Sequence, residues 1–155
     1  VSYTLHDASR LARYFEPESF DKILLDAPCS GEGMMTLDNK KDFESWSVAH
    51  IKRLQQLQKK VLVQAWQLLK PGGRLVYSTC TMAPEENEAV IDYLLRHNDN
   101  VIIEPLPIPK SQLPNTINPN VSWNGKSYDE RIAHALRLIP SKDIEAFFVI
   151  SLIKK

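Results

Sequence analysis

A long helical repeat set between two short apolar runs limits what this chain can fold into more than any other feature. Ile51, Leu54, Leu57, Val61, Leu62, Ala65, Leu68 and Leu69 keep steps of three and four, which predicts one amphipathic helix over roughly residues 47 to 70. Pro71-Gly72-Gly73 ends it. Ahead of the helix, Asp21 to Asp26 has an almost continuous apolar centre of Ile23, Leu24 and Leu25. Behind it, Arg74 to Ser78 is built on Leu75, Val76 and Tyr77. Such runs suit strands of a sheet buried on both faces. Strand, helix and strand with short links predict an α/β fold, a parallel sheet wrapped by helices. The crossover between such strands is right-handed, so the strand ends carrying Asp26 and Cys80 fall along one edge of the sheet.

The remaining segments extend this pattern. Residues 1 to 7 read as a strand ending at Asp7, and Ser9 to Phe15 as a short helix with Leu11, Tyr14 and Phe15 on one side. Residues 84 to 97 predict a second helix, with Pro84 in its first turn and Val90, Ile91, Leu94 and Leu95 on its buried face. Glu85, Glu86 and Glu88 favour the positive end of its dipole and read as a solvated first turn. Val101 to Glu104 suits another strand. Six of the ten prolines lie between 105 and 140, which makes that region mostly loop. Ala135 to Ile139 and Ala146 to Ile153 form two strand-like runs that predict a terminal antiparallel hairpin.

Composition narrows the class. A chain of 155 residues is one domain's worth, long enough to bury a core. Lys plus Arg and Asp plus Glu are 19 each, so net charge carries no nucleic-acid signal and any such contact is local. No apolar run approaches the roughly 20 residues that span a bilayer, which argues against a membrane partner. The N-terminus lacks the phases of a signal peptide. Two cysteines do not make a disulfide framework, and a reducing cytoplasm is the expected compartment. The four histidines show no metal-ligand spacing, so no metal site is expected.

Both cysteines sit where a predicted strand gives way to a loop, one in Asp26-Ala27-Pro28-Cys29-Ser30-Gly31 and one in Ser78-Thr79-Cys80. In open α/β sheets, ligands and chemistry collect outside the carboxyl ends of the strands. A helix start shortly after Cys80 favours its thiolate. The plainer readings are buried hydrophobic cysteines, a redox or disulfide pair, and turn-capping roles for Asp26 and Asp7. No CxxC motif supports a redox pair. Nor does any GxGxxG turn supply the usual nucleotide cradle. Lys40, Lys41, Lys52, Arg53, Lys59 and Lys60 form a modest basic region, either a solvated helix flank or an RNA track. Trp123 and Tyr128, near Lys126, suit base stacking or packing.

The strings DKILLDAPCSGEGM, LQKKVLVQAWQLLKPGGRLVYSTCTMAPEENEAVIDYLL and FFVISLIKK closely resemble the Sun-domain (NSUN) family of RNA cytosine-5 methyltransferases. The match covers essentially residues 1 to 97 and 135 to 155. It implies an S-adenosylmethionine-dependent enzyme on a Rossmann-like sheet. By the same resemblance Cys80 is the nucleophile, and Cys29 assists release of the product. Asp26 lies between the cofactor's methionine end and the base, Asp7 faces the adenine, and Pro28 holds the loop of the cofactor and base pocket. Gly31-Glu32-Gly33-Met34 looks most like the bacterial branch that modifies ribosomal RNA rather than tRNA.

There are departures from the family pattern. The family's Gly-rich cofactor loop and ribose-binding acid are not found within residues 1 to 155. The stretch Thr36-Leu37-Asp38-Asn39-Lys40 lacks the usual Arg and Pro, and Ala146 stands where the family often has Gly. The chain therefore reads as the C-terminal part of a methyltransferase catalytic domain, with little activity alone. The alternative is a non-catalytic remnant that binds RNA or a partner. In the family topology the strand ending at Asp26 pairs with a strand upstream, which makes it an exposed edge here, open to self-association.

The chemistry wants these residue types. Adding a thiolate to carbon 6 of cytosine breaks the ring's aromaticity and makes carbon 5 enamine-like, able to attack an activated methyl. A carboxylate beside the base stabilises charge as the adduct forms.

Overall fold

Helix α1 (Val48–Leu68) begins where Ser47, in an extended conformation, accepts the amide of His50 on its side chain at 3.1 Å. Its apolar stripe turns inward, with Ile51, Val61, Leu62, Ala65, Trp66 and Leu68 buried. Gln58 lies buried on the same stripe. At the far end, the buried Lys154 ammonium donates to the carbonyls of Trp66 and Leu69, at 3.3 and 2.8 Å, and so caps the helix. These are features of a computed structural model that describes residues 3–36, 43–44, 46–108, 113 and 115–155. Lys40 and Lys41 of the basic region, and positions 37 to 40 of the departing stretch, lie outside the described residues.

The strand before the helix is β1 (Phe20–Asp26), and the one after it is β2 (Leu69–Thr79). They pair in parallel, with Ile23 opposite Leu75 and Asp26 opposite Ser78. The predicted break at Pro71-Gly72-Gly73 is absorbed inside β2. Leu69 is already extended, and the register slips between Phe20 and Lys22 to accommodate the bulge. Gly72 there has φ +76°, a conformation that only glycine adopts cheaply.

Helix α2 (Glu88–His97) starts later than the sequence pattern predicts. Residues 84 to 87 form turns instead. The side chain of Asn87 accepts the Thr79 hydroxyl at 2.5 Å and donates to the Thr81 carbonyl at 2.9 Å, while its backbone is non-helical. That tie to the end of β2 holds the chain in turns until Glu88. The supposed solvated acidic turn is a second departure, because Glu86 and Glu88 are fully buried.

The third departure is at the N-terminus. Residues 3 to 7 form no strand, and Tyr3 and Leu5 are almost fully exposed. Among the described residues no strand lies beside them to take their backbone hydrogen bonds, and an isolated strand leaves those groups to water. A 3-10 turn over Ala8–Arg13 replaces the predicted short helix.

The C-terminal strand β8 (Phe147–Lys154) runs antiparallel to β2 on one side. On the other it pairs with β3 (Val101–Glu104) along one half and β7 (Leu136–Leu138) along the other. The terminal hairpin is therefore present. Strand β4 (Thr116–Ile117) adds to β7, giving the order β1-β2-β8-β7-β4. A separate ribbon pairs β5 (Ser122–Trp123) with β6 (Lys126–Ser127). Leu62, Leu69, Leu75, Tyr77, Ile91, Leu94, Phe148, Ile150 and Leu152 form the centre of the core. The result is an α/β, Rossmann-like sheet with α1 and α2 contributing to the core beside it.

Candidate active site

Parallel pairing of β1 and β2 brings their two following loops together. The ladder runs one step beyond the strand, with the Ala27 amide on the Ser78 carbonyl at 2.9 Å. Asp26 then meets the Ser78 hydroxyl, which donates to its Oδ1 at 2.9 Å. Cys80 directly follows β2, and the loop after β1 carries Cys29 to it. The two sulfurs are 3.3 Å apart, and both thiols are free.

Gly33 closes this loop over the second one. Its amide donates to the Cys80 carbonyl at 3.0 Å. A Cβ at Gly33 would fall 2.6 Å from the Ala146 Cβ and 2.8 Å from the Cys80 carbonyl oxygen, so only glycine permits the approach. The Ser30 and Thr81 hydroxyls share a bond at 2.8 Å, and Thr81 donates on to Glu32 at 3.2 Å. The Trp46 indole N–H reaches the other Glu32 oxygen at 2.6 Å. Beside them opens a cleft of about 440 Å³ lined by Glu32, Met35, Phe43, Trp46, Met82 and Pro140.

Under the cysteines lies a buried polar layer. Glu86 Oε2 accepts from the Ser30 amide at 3.0 Å and from Gln58 Nε2 at 2.7 Å, and Gln58 Nε2 also donates to the Pro28 carbonyl at 2.8 Å. Burial pushes the Glu86 carboxyl above its usual range, against the lowering effect of the Ser30 and Gln58 hydrogen bonds. Arg137 and Glu88 form a buried ion pair at 2.5 Å, and Arg137 also donates to the Met82 carbonyl.

The thiol of Cys29 is pushed up to about 12, first by burial and then by its contact with Cys80. A thiol in that condition keeps its proton at neutral pH, so Cys29 has an S–H to offer Cys80, and either sulfur can donate across the contact.

The structure thus brings together Asp26, Pro28, Cys29 and Cys80. Asp7 is not part of that hydrogen-bonded group. Its carboxylate caps the 3-10 turn, accepting from the Ser9 amide at 2.9 Å and the Ser9 hydroxyl at 2.7 Å, and faces Arg10. The Ser9 hydrogen bonds hold it below the usual carboxylate range. Tyr128 packs in the core, with its phenol pushed up to about 12 by burial. The Trp123 indole N–H is held by Glu85 at 2.9 Å. Glu86, Gln58, Glu32 and Trp46 are the members that the sequence reading missed. Only Gln58 carried a signal, a polar residue on a core-facing helical stripe. Among the described residues no group of three metal-ligating side chains comes together. No helix there is long and apolar enough to cross a membrane.

The sheet is of the Rossmann-like type shared with solved methyltransferases, and the cysteine pair stands at the carboxyl edge of its parallel strands. Residues 2–153 match the family model described as 16S rRNA methyltransferase RsmB/F, and the chain belongs to that family of RNA cytosine-5 methyltransferases. It is similar to a tRNA (cytosine(49)-C(5))-methyltransferase of Pyrococcus abyssi, 40% identical over 94% of this chain and 45% of the relative. It is also similar to the ribosomal RNA small subunit methyltransferase F of Aeromonas salmonicida, 46% identical over 61% of this chain and 20% of the relative. The chain thus spans less than half the length of these relatives.

Among solved structures, a methyltransferase homologue from Pyrococcus horikoshii superposes with a TM-score of 0.68 at 37% identity, covering 88% of this chain and 40% of that one. NSun6 from Pyrococcus horikoshii, solved with SFG, gives a TM-score of 0.68 at 28% identity over 97% of this chain and 34% of that one. The family is S-adenosylmethionine-dependent. The donor chemistry fits that cofactor at one described position. Asp26 is an exposed carboxylate at the end of a parallel strand, suited to a cationic group.

Proposed function

We propose that this chain carries the cysteine pair of an RNA cytosine-5 methyltransferase and is part of a larger catalytic domain. The observation that carries the reading is the 3.3 Å separation of Cys29 and Cys80 beside Asp26. The Cys80 thiolate adds to carbon 6 of cytosine, forming a C6–S bond and making carbon 5 nucleophilic. S-adenosylmethionine, when bound, supplies an electrophilic methyl group. Asp26, oriented by Ser78, accepts from the base or faces the cofactor's cationic end. Asp7 faces the adenine, with its carboxylate set by Ser9 and Arg10, and Pro28 fixes the backbone of the pocket.

After methylation the carbon 5 proton passes to water and its electron pair restores the C5–C6 double bond. The C6–S bond breaks, with its pair returning to the Cys80 sulfur. Cys29, protonated and in contact, donates its S–H to that departing sulfur and so assists release.

Ribosomal RNA is the proposed substrate, supported by the family described above and by Gly31-Glu32-Gly33-Met34. The Pyrococcus abyssi relative, similar over most of this chain, favours tRNA as the second reading. The compartment proposed is a reducing cytoplasm, in keeping with two adjacent free thiols. Because residues 1 to 155 hold no Gly-rich cofactor loop, the chain by itself is expected to bind S-adenosylmethionine weakly and turn over little.

The test is methyl transfer by the full-length protein from labelled S-adenosylmethionine to small-subunit rRNA and to tRNA, with 5-methylcytosine mapped in each. Label in rRNA cytosine is expected. Label in tRNA alone selects the second reading, and no cytosine label in either RNA overturns the proposal.

A further inference from the structure

We propose that Glu86 is a positioning residue for Cys29. Together with Gln58 it fixes the turn from Pro28 to Ser30, and it thereby governs release of the methylated base rather than methyl transfer. The proposal rests on the roles given above to Cys80 and Cys29.

The contacts bracket one residue. Through Gln58 the site holds the carbonyl of Pro28, at 2.8 Å, and directly through Glu86 it holds the amide of Ser30, at 3.0 Å. These are the neighbours of Cys29 on either side. The Gln58–Glu86 bond of 2.7 Å joins the two grips. Glu86 is itself anchored, since its carbonyl accepts the buried Tyr77 hydroxyl at 2.8 Å and its amide donates to the Ala83 carbonyl at 3.1 Å. The Cys29 loop is thus tied to α1 through Gln58 and to the turn after β2 through Glu86, with the Ser30–Thr81 hydroxyl bond beside them.

Cys80 is held by other means. The strand that delivers it is laddered to β8 as far as Thr79 opposite Phe148, and its carbonyl is taken by Gly33. Loss of the Glu86 side chain therefore loosens Cys29 first. A reacting group displaced by an ångström loses much of its effect.

The arrangement is not one that core stability alone would select. Glu86 and Gln58 are fully buried, and Oε1 of each has no hydrogen-bond partner. Unsatisfied buried oxygens are a penalty that an aliphatic pair of the same size would avoid. What the polar pair provides is a fixed backbone on both sides of Cys29.

The tether is tested by timed iodoacetamide labelling of this protein at pH 8, read by mass spectrometry at Cys29, with folding followed by circular dichroism. Glu86→Ala is expected to raise the Cys29 labelling rate by about tenfold or more, because the loop opens. Glu86→Gln keeps an acceptor for Ser30 and Gln58 and is expected to stay within about twofold of wild type. Gln58→Leu removes the grip on Pro28 and is expected to raise the rate as well, which decides the matter if Glu86→Ala does not fold. Unchanged labelling in folded Glu86→Ala or Gln58→Leu overturns the tether.

The consequence for release is read in the full-length protein with substrate RNA and S-adenosylmethionine. Glu86→Ala should transfer methyl in the first turnover and accumulate a denaturant-stable protein–RNA adduct, with Glu86→Gln restoring release. Absence of any adduct from Cys29→Ala overturns the role given to Cys29 and the release half of this proposal, while the labelling result still decides the tether.

Discussion

Cys29 and Cys80 place their sulfurs 3.3 Å apart across 51 positions of sequence. The cause is the parallel register of β1 and β2, which sets Asp26 opposite Ser78 and lets each following loop deliver a thiol to one point. Both thiols are half-buried, and burial together with the contact to Cys80 pushes the Cys29 thiol up to about 12.

That shift has a measurable pH dependence. With its pKa near 12, Cys29 has a thiolate fraction on the order of 10⁻⁴ at pH 8. Iodoacetamide should label it far more slowly than an ordinary thiol, with the rate climbing about tenfold per pH unit towards pH 11. Because the folded pKa lies above the ordinary 9.0, the unfolded chain loses its proton first as pH rises. Stability should therefore fall from about pH 9 upwards through the folded value. Labelling of Cys29 at an ordinary rate at pH 8 contradicts this.

Gly33 sets the closure of the loop. Gly33→Ala puts a methyl 2.6 Å from the Ala146 Cβ and 2.8 Å from the Cys80 carbonyl oxygen, both on fixed backbone. A loss of about 1–3 kcal/mol in urea unfolding is expected from the overpacking. Cys29–Cys80 disulfide formation under mild oxidant should also slow, since the sulfurs are pushed apart. Wild-type stability and oxidation rate in this variant refute the close approach.

The Arg137–Glu88 pair lies in the core, with side-chain exposures of 5% and 0%. Arg137→Met leaves Glu88 with neutral donors from Asn120, its backbone amide at 2.8 Å and its side-chain Nδ2 at 3.5 Å, and should cost about 3–5 kcal/mol in urea unfolding. Replacing both, as Arg137→Met with Glu88→Leu, should recover much of that loss. A double variant no more stable than the single one argues against an ion pair as the cause.

Strand β1 ends the sheet among the described residues, and Leu24 on it is 76% exposed. An apolar edge strand with open backbone groups invites pairing. This chain is expected to self-associate with rising concentration in light scattering, and Leu24→Lys should shift it towards monomer. A strictly monomeric wild type over the same range removes the edge argument.

The parts of this architecture visible in the residues are those fixed by local pattern. The spacing of Ile51 to Leu69 marks α1, and the apolar runs around Leu24 and Val76 mark the paired strands whose ends carry the cysteines. What local pattern could not carry is tertiary. Residues 3 to 7 have strand composition, but no strand among the described residues lies beside them. Glu86 and Glu88 sit where acidic residues normally favour a solvated helix start. They are buried because Asn87 is tied to Thr79 and Thr81, which folds that turn under the cysteine loops. Tyr128 offered an aromatic ring for stacking, and the core claimed it.

The most direct test of the roles assigned to the cysteines uses full-length Cys29→Ala and Cys80→Ala proteins. Each is incubated with substrate RNA and S-adenosylmethionine and run on a denaturing gel. Cys29→Ala is expected to attack, transfer the methyl and stall, giving an RNA-shifted band that survives denaturant. Cys80→Ala should give neither methylation nor a band. A denaturant-stable band from Cys80→Ala with none from Cys29→Ala would contradict the assignment and exchange the two roles.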